Sequence, residues 1–539
     1  MTIRRFALLL STLVAACDGD PGAAGPAGPA GPTGPAGGID PTLSASDKLL
    51  AALGGAPAVT NLKTLHATIS GERLVLDEGY LPDEPSGPGG TFQATLDWDL
   101  AAGDLRLDYQ RAIVAPIPGN YTYSEILRAD GGWRIGIDNL FGVPPGALPS
   151  ERWGSARRQQ TLLHPEVIAR GIATGALTAH DAGVGVLGGV LHHLLEVADP
   201  VAPLTLWIEL GTGRLAKITT IENEHLRADV PIEALYADWS DAGGGLRLPH
   251  RALITVDGEL VHDELRTQLT TNAAIPATTF AIPDGGKPTL VTADAARGER
   301  SHQFYEMFAG VGIPLAGDQT TVQATEIKPG VWHLTGGSHN SLVIEQAAGI
   351  VLVEAPLYAG RSEALLAWID HQFPGKPVID VIATHFHGDH AGGLRTLVAN
   401  GTPVIAGTTA LGLYRRIFSA RRTVEPDRLA AAPRPATLIA VAPTGQLTLP
   451  DAAHPVQIYP VTTTHAADML VAVVNGVLFV SDLFSPGIPA SPQALRELRQ
   501  AITDHPAIPV ERITGGHGGT ATLAELDALI AGSPAADAQ

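Results

Sequence analysis

Six consecutive positions hold three imidazoles and a carboxylate, in the order His385-Phe386-His387-Gly388-Asp389-His390. Neutral imidazole and carboxylate are the ligand types that suit zinc and similar divalent ions. The apolar run 378–383 immediately before them has the length and β-branched content of a buried strand. Glycines 388, 392 and 393 mark a tight loop leading into a helix. A strand end that delivers His-x-His-x-Asp-His to one point is poor core material and good metal-ligand material. Three more candidates follow later predicted strands: His465, Asp482, and His517 within Gly515-Gly516-His517-Gly518-Gly519.

The elements that must position these residues begin near 320. Strands are expected at 331–334, 341–345, 350–354, 378–383, 404–406, 456–459, 469–474, 477–480 and 512–514. Helices are expected at 361–373, 394–399, 408–418 and 523–531, and Asn475-Gly476 reads as a hairpin turn.

His385-x-His387-x-Asp389-His390, then His465, Asp482 and Gly-Gly-His517-Gly, resembles the metallo-β-lactamase superfamily in order and spacing, over 320–535. That resemblance implies an αββα sandwich with a dinuclear site at one edge. His385, His387 and His465 would hold one ion, Asp389, His390 and His517 the other, and Asp482 would bridge them. The expected cofactor is two Zn2+, with Fe or Mn as alternatives. The implied chemistry is hydrolysis of an ester, thiolester, lactone or amide by a hydroxide shared between the ions, with Asp389 orienting it and accepting its proton.

Aspartate at 482 is the pattern of thiolesterase, lactonase and phosphodiesterase members, where β-lactamases carry cysteine or serine. The flank of His465 lacks the Pro-Gly-His-Thr-x-Gly of glyoxalase II-like enzymes. Persulfide dioxygenases reuse the motif with a single iron, so mononuclear oxidative chemistry is an alternative. His339, on a loop that borders the site in this superfamily, is a candidate substrate contact or a local loop hydrogen-bond partner. His192, His193, His333, His371 and His454 have no ligand spacing.

A chain of 539 residues exceeds what one core usually supports. A net charge of −20 argues against nucleic acid as a partner; the expected partner is a small-molecule or lipid-like substrate. Arg4-Arg5, the short apolar run 6–14 and Val14-Ala15-Ala16-Cys17 resemble a bacterial lipoprotein signal peptide, 1–16. By that resemblance Cys17, the single cysteine, is lipidated and anchors the protein in the cell envelope, facing the periplasm or exterior. Glycines at a period of three make 17–43 a collagen-like stalk.

The region 44–284 reads as a curved antiparallel sheet with helices, so the fold class is α+β throughout. Helices are expected at 44–53, from His164-Pro165-Glu166, and at 190–197; hairpins are expected at 91–110 and 246–270. Trp239-Ser240-Asp241, Leu248-Pro249-His250-Arg251 and Phe280-Ala281-Ile282-Pro283 resemble the closing strands of LolA/LolB-like lipoprotein-carrier half-barrels. That resemblance implies, as an alternative function, a carrier or sensor of apolar ligands. A linker is expected over 285–319, with a short helix near 302–308. The sequence carries no signal of oligomeric state.

Overall fold

Alternation of apolar and polar side chains builds most of the first half. In the strand Asp104–Ile113, Leu105, Leu107 and Tyr109 turn inward while Arg106, Asp108 and Gln110 turn outward. The computed structural model describes residues 39–115, 118–138, 145–311, 321–489, 491–505 and 509–533, and Ile39–Gln539 forms one compact unit. The signal segment, Cys17 and most of the stalk lie outside the described residues. Among the described residues no helix is long and apolar enough to cross a membrane.

The first half is a 13-stranded sheet whose pairings are all antiparallel. Strands run in chain order outward from Thr64–Val75 to the edge at Gly146–Ala147. On its other side Thr64–Val75 pairs with Glu259–Thr271, from which the order runs back to the opposite edge at Thr178–Leu187. Asp257 and Gly258 have φ of 52° and 87°, the paired positive angles of the type I′ turn expected there. Helices Ser150–Leu163 and Pro165–Thr174 share one core with the sheet, through Leu162, Leu163, Ile168 and Ala169.

One predicted helix is a strand. Val190–Ala198 pairs with Thr178–Leu187 on one side and Leu204–Glu209 on the other. Gly188 and Gly189, at φ of 57° and 79°, turn the chain into this hairpin, and Leu195 and Val197 alternate into the core. Pairing on both edges overrides the helical preference of the leucines. The described part of 285–319, read as a linker, contains helices Thr292–Arg300 and His302–Val311. The first lies so close to Ser150–Leu163 that a Cβ on Gly298 would stand 1.8 Å from the Glu151 carbonyl oxygen. Small residues let this polar segment pack tightly.

A buried ionic group under the sheet makes stability pH-dependent. Arg266 and His262 lie 2.9 Å and 3.1 Å from Glu264. Burial alone would push the Glu264 carboxyl up, but the Arg266 guanidinium and His262 override it and hold it at about 2. A carboxyl depressed on folding stabilises above its unfolded value of 4.5, and that contribution is lost as pH falls toward 2. Its size is on the order of 3 kcal/mol. Urea unfolding is therefore expected to show Glu264→Gln well below wild type at neutral pH, with the gap closing between about pH 4.5 and 2.

The second half is a two-sheet sandwich. The seven-stranded sheet begins with antiparallel strands Gln323–Lys328, Val331–Thr335, Ser341–Glu345 and Ile350–Val353. It continues in parallel through Val378–Ile382, Val404–Gly407 and Leu438–Val441. The six-stranded sheet comprises Leu447–Leu449, Val456–Val461, Met469–Val474, Val477–Phe479, Arg512–Thr514 and Thr520–Ala521. Leu342, Ile344, Val351, Val353, Ile382 and Ile405 of one sheet meet Ile458, Leu470, Ala472, Val474 and Phe479 of the other. The alternate residues face helices. Val343, Leu352 and Val381 meet Ala359–Gln372, Leu394–Ala399 and Leu411–Ser419, and Val471 and Val473 meet Pro492–Asp504 and Leu523–Gly532. Burial on both faces explains why these strands read as continuous apolar runs. The layers are helix, sheet, sheet, helix.

Sheet domain and sandwich are joined by polar contacts. Arg422 donates to the carbonyls of Glu224 and His225 at 2.9 Å and 2.8 Å, and the backbone N–H of Thr423 donates to Asp229 at 2.8 Å. Arg300 pairs with Glu425.

Candidate metal centre

Four strand ends converge at one end of the sandwich. The segment after Val378–Ile382 carries His385, His387, Asp389 and His390; the turns after Val456–Val461, Val477–Phe479 and Arg512–Thr514 carry His465, Asp482 and His517. Backbone contacts lock these turns together. The Tyr414 hydroxyl donates to the His385 carbonyl at 2.9 Å, and the Leu470 N–H donates to the Thr384 carbonyl at 2.7 Å. Asn340 holds the glycine loop around His517, its side chain donating to the carbonyls of Gly515 and Gly518 and its N–H to that of Gly516. Glu354 and Ser481 sit at φ of 63° and 50°, a conformation costly for non-glycine residues and common where a site is held under strain.

All seven predicted ligands are brought together, in two groups. His385, His387 and His465 form one, with ring centroids 4.5–4.9 Å apart. Asp389, His390 and His517 form the other, joined by His339. Asp482 stands between them. Its Oδ1 lies 2.9 Å from His390 Nε2 and 3.2 Å from His517 Nε2, and its Oδ2 lies 3.3 Å from His465 Nε2. One carboxylate thus presents one oxygen to each group.

The nitrogens that do not face the centre are tied down. His385 Nδ1 bonds Thr384 Oγ1 at 3.0 Å, and His387 Nε2 donates to the Gly79 carbonyl at 2.9 Å. His390 Nδ1 donates to Glu354 Oε2 at 2.9 Å, and His517 Nδ1 to the Ser338 carbonyl at 2.7 Å. In neutral imidazole, fixing one nitrogen as donor leaves a lone pair on the other, the arrangement of ligating histidines. The inward His387 Nδ1 and Asp389 Oδ1 are buried without a hydrogen bond, and His390 Nε2 and Asp482 Oδ1 face each other at 2.9 Å. Such orphaned groups are costly unless something fills the space between them. The donor set fits two divalent cations.

Electrostatics agree with that fit at His385 and His387. Burial, then His390, His387 and His465, hold His385 well below the ordinary imidazole range; burial and His465 hold His387 at about 3. Both are therefore neutral, the form that ligates. At His390 and His517 the Asp482 carboxylate, joined at His390 by Glu354, overrides burial and holds the imidazole above its ordinary range while no cation neutralises the carboxylates. Asp482 and Asp389 are drawn well below the usual carboxylate range against burial, chiefly by His390, and stay ionised. Access is from one side. His465 is 28 % exposed while His385 and His387 are 3 % and 1 % exposed, so a substrate would approach past His465, Asp482 and His517.

His339 is fully buried and donates from Nε2 to Asp389 Oδ2 at 2.9 Å, with Nδ1 on the Ser338 hydroxyl. It holds Asp389 and does not line the open side. Two groups escaped the sequence reading. Glu354, wholly buried, accepts from Thr384 Oγ1 at 2.6 Å, from the Ser481 hydroxyl and from His390. Its one signal was an acidic residue closing the apolar strand Ile350–Val353. Glu78 reaches the centre from the sheet domain, with Oε2 3.3 Å from His387 Nδ1. His192 and His193 bond the Val190 carbonyl and Lys48, and belong to no metal-capable cluster among the described residues.

Fold and site together define an αββα sandwich with His and Asp side chains able to hold metal clustered at its strand ends. The family model described as "Metallo-beta-lactamase superfamily" matches residues 334–521, which supports that superfamily for the sandwich. A curated relative, "Metallo-beta-lactamase type 2" of Bacillus cereus, is 31% identical over 99 residues; the match spans 17% of this chain and 38% of that protein. Among solved structures, "Metallo-beta-lactamase from Pontibacter korlensis" aligns at 19% identity and TM-score 0.29, covering 39% of this chain and 98% of that one. The flavodiiron protein from Giardia intestinalis aligns at 16% identity and TM-score 0.31, over 39% and 58%.

Proposed function

We propose that the chain is an exported, lipid-anchored hydrolase with two metal ions, acting on an ester, thiolester, lactone or amide. His385, His387 and His465 would hold one ion, Asp389, His390 and His517 the other, and Asp482 both. The observation that carries this reading is the position of Asp482, with one oxygen toward each group of imidazoles. When bound, two Zn2+ (or Fe or Mn) supply a nucleophilic water at neutral pH and Lewis acidity at the substrate oxygen.

The protein's own groups account for the rest. Asp389 keeps Oδ2 on His339 and leaves Oδ1 free to orient the attacking water and take its proton. Glu354 and the Gly79 and Ser338 carbonyls hold three of the imidazoles in their ligating tautomers. The substrate is a small or lipid-like molecule rather than nucleic acid, given the net charge of −20. Lipidated Cys17 and the 17–43 stalk would carry the enzyme at the cell envelope, facing the periplasm or exterior. The 13-stranded sheet would act as a LolA/LolB-like element that presents an apolar substrate.

The test is a panel of ester, thiolester, lactone and amide substrates offered to the full-length protein. At least one class is expected to be turned over, to stop with a chelator and to resume with zinc. Asp389→Asn is expected to lower kcat by roughly 10²–10⁴-fold, the range of a lost general base. No metal-dependent turnover of any class would overturn the proposal. For the anchor, labelled palmitate is expected on wild type and absent from Cys17→Ser.

A further inference from the structure

We infer that the turn Asp77-Glu78-Gly79-Tyr80, contributed by the sheet domain, is a working part of the metal centre. The Gly79 carbonyl selects the ligating nitrogen of His387, and the Glu78 carboxylate is an additional oxygen donor beside His387 and Asp389. The inference rests on the two-metal reading above.

The turn joins strands Thr64–Val75 and Gly87–Asp99, more than 300 positions away along the chain from the His387 it touches. By accepting from His387 Nε2, Gly79 directs the ring's lone pair to Nδ1, which is buried without a hydrogen bond. Glu78 Oε2 is 3.3 Å from that Nδ1, and donor atoms of Glu78, His387 and Asp389 lie within 4.8 Å of one another. This brings a third carboxylate to a site that already holds Asp389 and Asp482. Carboxylates crowded in a desolvated site repel one another unless a cation lies between them. Glu78 therefore makes sense as a ligand.

The turn is held there by groups that take no part in the centre. Asp77, at φ 61°, accepts a two-pronged pair from Arg227 at 2.9 Å and 2.7 Å. The Tyr80 N–H donates to Glu84 Oε2 at 2.8 Å, and the Tyr80 carbonyl accepts from the Ala467 N–H, also at 2.8 Å. The last bond ties the turn to the loop of His465. A Cβ on Gly79 would stand 2.7 Å from Glu84 Oε2, so the close fit favours glycine. The sheet domain thus builds one wall of the centre.

The test uses full-length wild type, Glu78→Gln and Glu78→Asp, loaded with Co2+ or Zn2+. Read-outs are the visible absorption of the Co2+ form, displacement by a chromophoric chelator, and thermal unfolding of the metal-free protein. Glu78→Gln is expected to alter the spectrum and loosen one of two ions by about 10–100-fold, the cost of losing a metal-site partner. Glu78→Asp is expected to restore part of the affinity. The metal-free Glu78→Gln protein is expected to unfold no earlier than wild type, because the amide keeps the shape of the side chain and brings no charge into a buried site. An unchanged spectrum and unchanged affinity in Glu78→Gln, with wild type holding two ions, would overturn the inference alone. A wild type that holds no metal would overturn the two-metal reading itself.

Discussion

Replacing Asp482 with alanine is expected to lower the metal retained by the purified protein from about two ions per chain to one or none. Hydrolysis is expected to fall by more than about 100-fold, since losing groups that merely support ligands costs 10–100-fold. The reason is positional. Asp482 lies within 3.3 Å of imidazoles in both groups, His390 and His517 on one side and His465 on the other. Its loss removes a donor from each ion and leaves imidazoles facing one another with no anion between them. Asp482→Cys keeps an anionic donor but offers one atom where the carboxylate offers two. It is expected to retain more metal than alanine and less than wild type. Elemental analysis of the three proteins reads the order directly, and equal metal in all three would remove Asp482 from the centre.

Glu354→Gln is expected to damage both stability and metal binding, although Glu354 is not one of the seven proposed ligands. The carboxylate is fully buried and accepts from Thr384, Ser481 and His390 at once. An amide of the same shape has one acceptor oxygen and turns an NH2 group toward a donor. Unsatisfied buried partners cost about 1–3 kcal/mol each, so a loss of roughly 2–4 kcal/mol is expected in urea unfolding of the metal-free protein. His390 would also lose the group that holds its Nδ1 as donor, weakening the second ion by about 10–100-fold. Chelator competition separates this effect from the loss of stability. If only stability falls, Glu354 serves the fold and not the centre.

These two residues mark what was legible in the sequence. The His385–His390 run shows itself by side-chain type and spacing, whereas Asp482 is legible as an acidic residue directly after an apolar strand, and its place between two ions is only what the family resemblance implies. Glu354 sits in a similar apolar strand, but a single buried carboxylate has no spacing to betray it. It becomes visible only when Ile350–Val353 and Val378–Ile382 pair side by side. Glu78 is further out of reach, because only the docking of the sheet domain on the sandwich brings it to His387. The strand Val190–Ala198 reads as a helix because its leucines suit one, and it is the Gly188-Gly189 turn that makes it half of a hairpin. The polar segment 292–300 hid a packed helix, since its packing face is made of Ala295 and Gly298 rather than large apolar side chains. The loop 419–424 carries no such signal either, yet its Arg422 and Thr423 clasp the sheet domain at Glu224, His225 and Asp229.

In the proposed function, seven side chains from four strand ends, with Asp482 between the two groups, hold two metal ions. The decisive measurement is the metal content per chain of full-length protein purified from zinc-replete culture and dialysed against metal-free buffer. About two ions per chain are expected, falling in Asp482→Ala. A wild-type protein that carries none, and takes up none when zinc is added, would contradict it.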